Sequence, residues 1–206
     1  MIIEKLASSL GRRDEVPNQE LAALIAKKND TKAVKELIEN LGNPSKEIQS
    51  DCMKVLYEIG ERKPALIAGY AAQFLAVLDS KNNRLQWGSM TALDTITLEN
   101  PKAIYAALPK IMQVAEHGSV ITRDHAVSIL IKLCSVKQYR DPAFELLIHQ
   151  LQRCPTNQLP MYAENAMPII TEKNKLLFIK TLTARLDEIE KESKRKRVER
   201  VIEKVS

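Results

Sequence analysis

Glycine is scarce in this chain, with six in 206 residues, and aromatic side chains make up 4% of it. Few segments alternate Val, Ile, Thr and aromatics as a strand does, so β architectures are set aside. The three cysteines, Cys52, Cys134 and Cys154, form no CxxC and no even set. They read as reduced thiols of a cytoplasmic protein rather than a disulfide framework or a zinc site. No apolar run reaches the roughly eighteen residues of a membrane span. The opening MIIEKLASSLGRRDEVP mixes charges early and has no long apolar core, unlike a secretory signal. GxGxxG, P-loop, GxSxG and HExxH motifs are all missing. His117, His125 and His149 lie on different segments with no second histidine at ligand spacing, so no metal and no cofactor are expected.

What the chain has is Leu, Ile and Ala in helical order. A hydrophobic fraction of 45% with 28% charged residues is globular composition, and the residue types favour an all-helical fold. Displacing the segment VITRDHAVSILIKL (120–133) by 37 residues in either direction matches three further segments without a gap. The opening positions are Ile48, Leu85, Thr122 and Leu159, followed four residues on by the small residues Cys52, Ser89, Ala126 and Ala163. Leu56, Leu93, Leu130 and Met167 come next, then Ile59, Ile96, Leu133 and Ile170, with Val55, Ala92, Ile129 and Ala166 completing the stripe. Offsets of 4, 7, 8 and 11 describe one helix face. The same spacing relates Leu37, Phe74, Ile111 and Ile148, so each period holds two helices, A and then B. Turn chemistry separates them at LGNPSK, DSKNN, EHGS and RCPTN. Helix pairs at a fixed period of this size imply a solenoid, because one pair alone cannot bury its apolar faces.

TRDHAVSILIKL resembles the B helix of a HEAT repeat, in which an apolar residue, Arg, Ala and Leu fall at these intervals. The resemblance implies a right-handed, armadillo-like α-solenoid, to which the sequence adds the 37-residue period and a basic C-terminal helix. It implies one domain over 1–190: a cap at 1–30, repeats at about 31–64, 65–101, 102–141 and 142–172, and a cap at 173–190. Residues 191–206 follow as a separate basic helix. Helices are expected over IIEKLASSL, over QELAALIAKK and over residues 175–189, and Pro168 should kink or end the fourth B helix. The family's Asp–Arg ladder between repeats is present only in fragments, since Gln49, Gln86 and Pro160 stand where Arg123 does. Tetratricopeptide repeats fit less well, because their Trp, Gly and Tyr do not recur. Helical-repeat iron hydroxylases carry His-Glu dipeptides, and this chain has none.

Trp87 and Asp94 are seven residues apart and share a side of the second B helix. In this register they face the concave, solvent side, beside Ser50, Lys54 and Tyr57 on one neighbouring B helix and Asp124, Ser128 and Ile131 on the other. Tyr57, Trp87, Asp94 and Ile131 are the candidate partner-binding residues. Alkyl-base DNA glycosylases similar to this fold use Trp, Tyr and Asp on a basic surface. Here the surrounding charges are mixed, and no catalytic residue is assigned.

Residues 1–172 hold 20 basic and 20 acidic side chains, whereas 173–206 hold 11 and 6, so the tail carries the whole excess of +5. KESKRKRVER presents Lys191, Lys194, Arg195, Lys196, Arg197 and Arg200 as candidate contacts for phosphate or an acidic partner. Val198, Val201, Ile202 and Val205 form an apolar stripe that must bury itself, most simply by folding back. The leading functional expectation is a non-enzymatic scaffold binding another protein on the concave B-helix face. Nucleic-acid binding through the C-terminal helix is the alternative, and glycosylase-like chemistry at Trp87 and Asp94 is the third. Oligomeric state is left open.

Overall fold

Side-chain caps mark where several of the helices begin. A computed structural model describes residues 1–206 and contains twelve α-helices, six short 3-10 turns and no strand. The chain divides into two compact units, Met1–Ala126 and Val127–Ser206, and the division falls inside one helix. The first unit holds α1 (Val16–Lys28), α2 (Thr31–Glu39), α3 (Lys46–Arg62), α4 (Ala71–Val77), α5 (Asn83–Thr95), α6 (Pro101–Ala106), α7 (Leu108–His117) and the start of α8 (Val120–Ser135). The second holds the remainder of α8, then α9 (Arg140–Arg153), α10 (Leu159–Ala166), α11 (Lys175–Thr183) and α12 (Glu192–Val205). Asp30 caps α2 by accepting the Ala33 N–H at 3.0 Å, and Ser45 caps α3 by accepting that of Ile48 at 3.3 Å. Asn82 does the same for α5 through the Arg84 N–H. Each cap satisfies a backbone donor that the helix itself cannot, worth about 1 kcal/mol.

The small-residue stripe is where the helices meet. Cys52, Ser89, Ala126 and Ala163 are all completely buried, as are Val55, Ala92, Ile129 and Ala166. On the A helices Leu37, Phe74, Ile111 and Ile148 are buried too. In the first unit α3 packs against α1, α2 and α5, and α4 packs against α5. Gly60 makes the α3–α5 contact possible, because a Cβ there would collide with the Thr95 side chain and sit 2.9 Å from Ile67 Cδ1. In the second unit α9 meets α10 and α11, and α12 lies against both α10 and α11. All three cysteines are buried and none forms a disulfide, and burial pushes the thiols of Cys52 and Cys134 up to about 12.

Several expectations need correction. The second helices start at Lys46, Asn83, Val120 and Leu159, but the first ones start at Thr31, Ala71, Leu108 and Arg140. A strict 37-residue period therefore does not describe every element. The 3-10 turns Pro64–Leu66 and Ala68–Tyr70 absorb extra chain before α4. The segment IIEKLASSL forms only a 3-10 turn at Ile2–Lys5, held by Glu36, whose Oε1 accepts the Ile2 N–H at 2.6 Å. α11 stops at Thr183 rather than near 189, because Arg185 leaves helical register to serve α9. α10 ends at Ala166 and Met167–Ile169 turns as a 3-10 segment around Pro168, so proline ends this helix as its missing N–H requires. No helix is long and apolar enough to cross a membrane.

Candidate functional site

The first unit carries a groove of about 460 Å³, lined by α3, α5 and the segment that leads into α1. On α3 the residues at 47, 50, 51, 54 and 57 step down one face at helical spacing, and on α5 Arg84 and Trp87 are one turn apart. Tyr57 is buried, while Trp87 stays half-exposed with its ring centroid 5.7 Å from that of Tyr57 at a 51° tilt. Gly88 lets α5 lie close to α3 beside this pair, since a Cβ there would stand 2.5 Å from Met53 Cγ. The Lys54 ammonium lies 4.8 Å from the Tyr57 ring centroid, a cation–π contact. Burial works against that ammonium, but hydrogen bonds to Glu58, Tyr57 and Glu15 outweigh it, so its pKa is raised. Burial raises the Tyr57 phenol.

The walls are tied by carboxylates. Asp51 accepts the Ser8 N–H at 2.8 Å on one oxygen and the Asn18 amide at 2.8 Å on the other. Asn18 is itself buried and accepts the Ala7 N–H at 2.9 Å. Glu15 pairs with Lys54 at 2.9 Å, and Asp14 pairs with Arg12 at 2.8 Å. Further along the same face Asn82 donates to Ser50 at 3.3 Å, and His125 Nδ1 lies 2.8 Å from Asp94 Oδ2. These contacts join successive B helices.

The candidate residues thus separate. Tyr57 and Trp87 come together, whereas Asp94 does not face solvent as the register implied. It is buried, because His125 on α8 covers the carboxylate and supplies a hydrogen bond that offsets its desolvation. Ile131 is half-buried on α8, in the second unit. The tail folds back within that unit, burying Val198 and Val201. Arg197 grips Glu164 with two hydrogen bonds, at 2.8 and 2.6 Å. Arg195 contacts Asp187 and Glu199, Lys196 contacts Glu192, and Lys194 donates to Asn157 Oδ1 at 2.7 Å. Of the six candidate cations, Lys191, Lys194 and Arg200 are left without a carboxylate partner.

No protein-family model matches this sequence, and no curated protein matches it significantly. Solved structures do resemble it. A designed armadillo repeat protein in complex with the peptide (KR)4 aligns over 100% of this chain and 98% of its own, with 14% identity and a TM-score of 0.63. Two engineered proteins align at 19% and 20% identity, with TM-scores of 0.60 and 0.61. They cover 98% and 99% of this chain and 96% and 98% of their own. The fold is an armadillo/HEAT-like helical repeat.

Within this repeat fold, the periodic positions located the B-helix face but not the groove's second wall. Ser8, Arg12, Arg13, Asp14, Glu15 and Asn18 lie ahead of the first repeat. Periodicity says nothing about them. The signal that could have found them is the density of charge and amide side chains between Gly11 and Gln19, too polar for a segment meant only to cover a core.

Proposed function

We propose that this repeat protein is a non-enzymatic scaffold that binds a linear segment of a partner protein in the groove of the first unit. One observation carries the reading: half-exposed Trp87 stands against buried Tyr57 in an open groove. A large aromatic held by a rigid neighbour loses little entropy on binding and gives a typical anchor. The designed armadillo neighbour, solved with a peptide, supports use of such a fold in this way. The glycosylase-like reading loses its carboxylate, since Asp94 is buried and bonded to His125. The nucleic-acid reading through α12 gains nothing from the geometry, because most of its cations already hold partners in their own unit.

The test is selection of an unbiased displayed peptide library on the full chain, with counter-selection on Trp87→Ala. Peptides should be enriched that bind the parent at least about tenfold more tightly than the variant, roughly 1.4 kcal/mol. A library yielding nothing that distinguishes the two proteins would remove the groove from consideration.

A further inference from the structure

The balance of partners inside the groove goes further and names the chemistry of the segment. Four cations and four carboxylates line it: Arg12, Arg13, Lys54 and Arg84 against Asp14, Glu15, Glu47 and Asp51. The two sets are not equally available. Every carboxylate already accepts hydrogen bonds: Asp14 from Arg12, Glu15 from Lys54, Glu47 from the Ser45 hydroxyl, and Asp51 from Ser8 and Asn18. Arg12 and Lys54 are spent in the same pairs. The guanidinium groups of Arg13 and Arg84 make no hydrogen bond or ion pair, and both residues are exposed. The Ser8 hydroxyl, buried in the same wall, also lacks a partner.

We infer that the groove takes an acidic linear segment of a partner protein, seating an apolar or aromatic side chain on Trp87 and its carboxylates on Arg13 and Arg84. This rests on the scaffold reading above and adds charge selectivity to it. Arginine suits the task, since its planar fork meets a carboxylate with two parallel donors. Arg84 belongs to the first turn of α5, one turn before Trp87, so an anchored side chain and its acidic neighbour are met from the same helix. A basic segment would compete with Lys54 for Glu15 and with Ser8 and Asn18 for Asp51, the contacts that tie residues 7–18 to α3. A polynucleotide would bring many phosphates alongside four carboxylates, in a unit whose 16 basic side chains are matched by 16 acidic ones.

The lone tryptophan makes the experiment site-specific, because Trp87 is the only one in the chain. Short peptides with a central Leu flanked by Glu, by Gln or by Lys, together with (KR)4 and an oligothymidylate, are titrated into the full chain. Trp87 emission and calorimetry are followed. The Glu-flanked peptide should shift the emission and bind about tenfold more tightly than its Lys-flanked counterpart. Arg13→Glu and Arg84→Glu, exposed changes whose folding is checked by circular dichroism, should each erase or reverse that preference, and Arg84→Gln should reduce it. Equal or tighter binding of the Lys-flanked peptide or (KR)4 at Trp87 overturns the acidic assignment and leaves the scaffold reading intact. Oligothymidylate binding that displaces the Glu-flanked peptide and falls in Arg84→Glu would replace a peptide partner with nucleic acid. Emission unchanged by every ligand sinks both readings.

Discussion

The two units use their charges in opposite ways. Residues 1–126 hold 16 basic and 16 acidic side chains, and residues 127–206 hold 15 and 10. In the neutral unit, acids and amides tie successive elements along one face and leave an open groove with two unpaired guanidinium groups. In the basic unit, the acids are drawn into holding α12 and the end of α11 in place. An excess of charge in a sequence is thus a poor guide to where binding happens. The unit with no net charge is the one that sets two unpaired guanidinium groups beside an aromatic pair.

Breaking the second unit takes one buried arginine. Arg185 is 8% exposed and donates to the carbonyls of Leu151 at 2.9 Å and Cys154 at 2.7 Å, at the end of α9, while gripping Glu188. Arg185→Met removes the guanidinium donor from both carbonyls, leaving that of Leu151 only the weak Cys154 thiol, and should cost about 2–4 kcal/mol. Hydrogen exchange should show protection lost in α9 and α11 and kept in α1, α3 and α5. Equal loss in both units would mean that they unfold as one.

The converse change belongs to the first unit. Gly60→Ala forces a methyl group into the Thr95 side chain and should cost about 1–3 kcal/mol. Protection should fall in α3 and α5 first, with α9 to α12 spared. An unaltered thermal midpoint would show that α3 and α5 can separate at that level without cost.

The finest distinction is acid sensitivity. Hydrogen bonds from Arg197 hold the Glu164 carboxyl below its ordinary range. Stability from this pair is therefore complete above the unfolded carboxyl value near ~4.3 and is lost as pH falls through the lower folded value. For Glu58 in the first unit burial pushes upward, but hydrogen bonds from Lys54 and Arg62 prevail and the result is again a lowered carboxyl. Glu164→Gln should cost about 0.5–1 kcal/mol at neutral pH, the pair being partly exposed. It should also flatten the acid loss of the second unit alone, read as exchange protection in α12 at pH 3 against pH 7. Identical profiles for parent and variant would show that the pair contributes nothing.

The fold was legible wherever burial repeats. Every small residue of the B stripe, from Cys52 to Ala163, is completely buried, because close helix approach excludes anything larger. The pattern fades at Met167 and Ile170, which are only half-buried after Pro168 has ended α10. Half of the site was legible as well. Tyr57 and Trp87 both line the groove, since side-chain direction follows from helical phase, though Tyr57 is as buried as Asp94 and does not face solvent. Asp94 was misplaced because phase does not reveal that a histidine 31 residues later covers it. Arg13 and Arg84 went unnoticed because a cation's importance depends on whether its neighbours leave it unpaired, and pairing is a property of three dimensions.

The buried thiols described above turn the protein into its own clock. A thiol with its pKa near 12 is almost wholly protonated at neutral pH, and one enclosed by packed helices is out of reach of an alkylating reagent. Labelling must wait for the surrounding helices to open. Cys52 times the first unit, and Cys134 and Cys154 time the second. The ratio of their labelling rates, read by mass spectrometry on unmodified protein, ranks the local stability of the two halves without a single substitution.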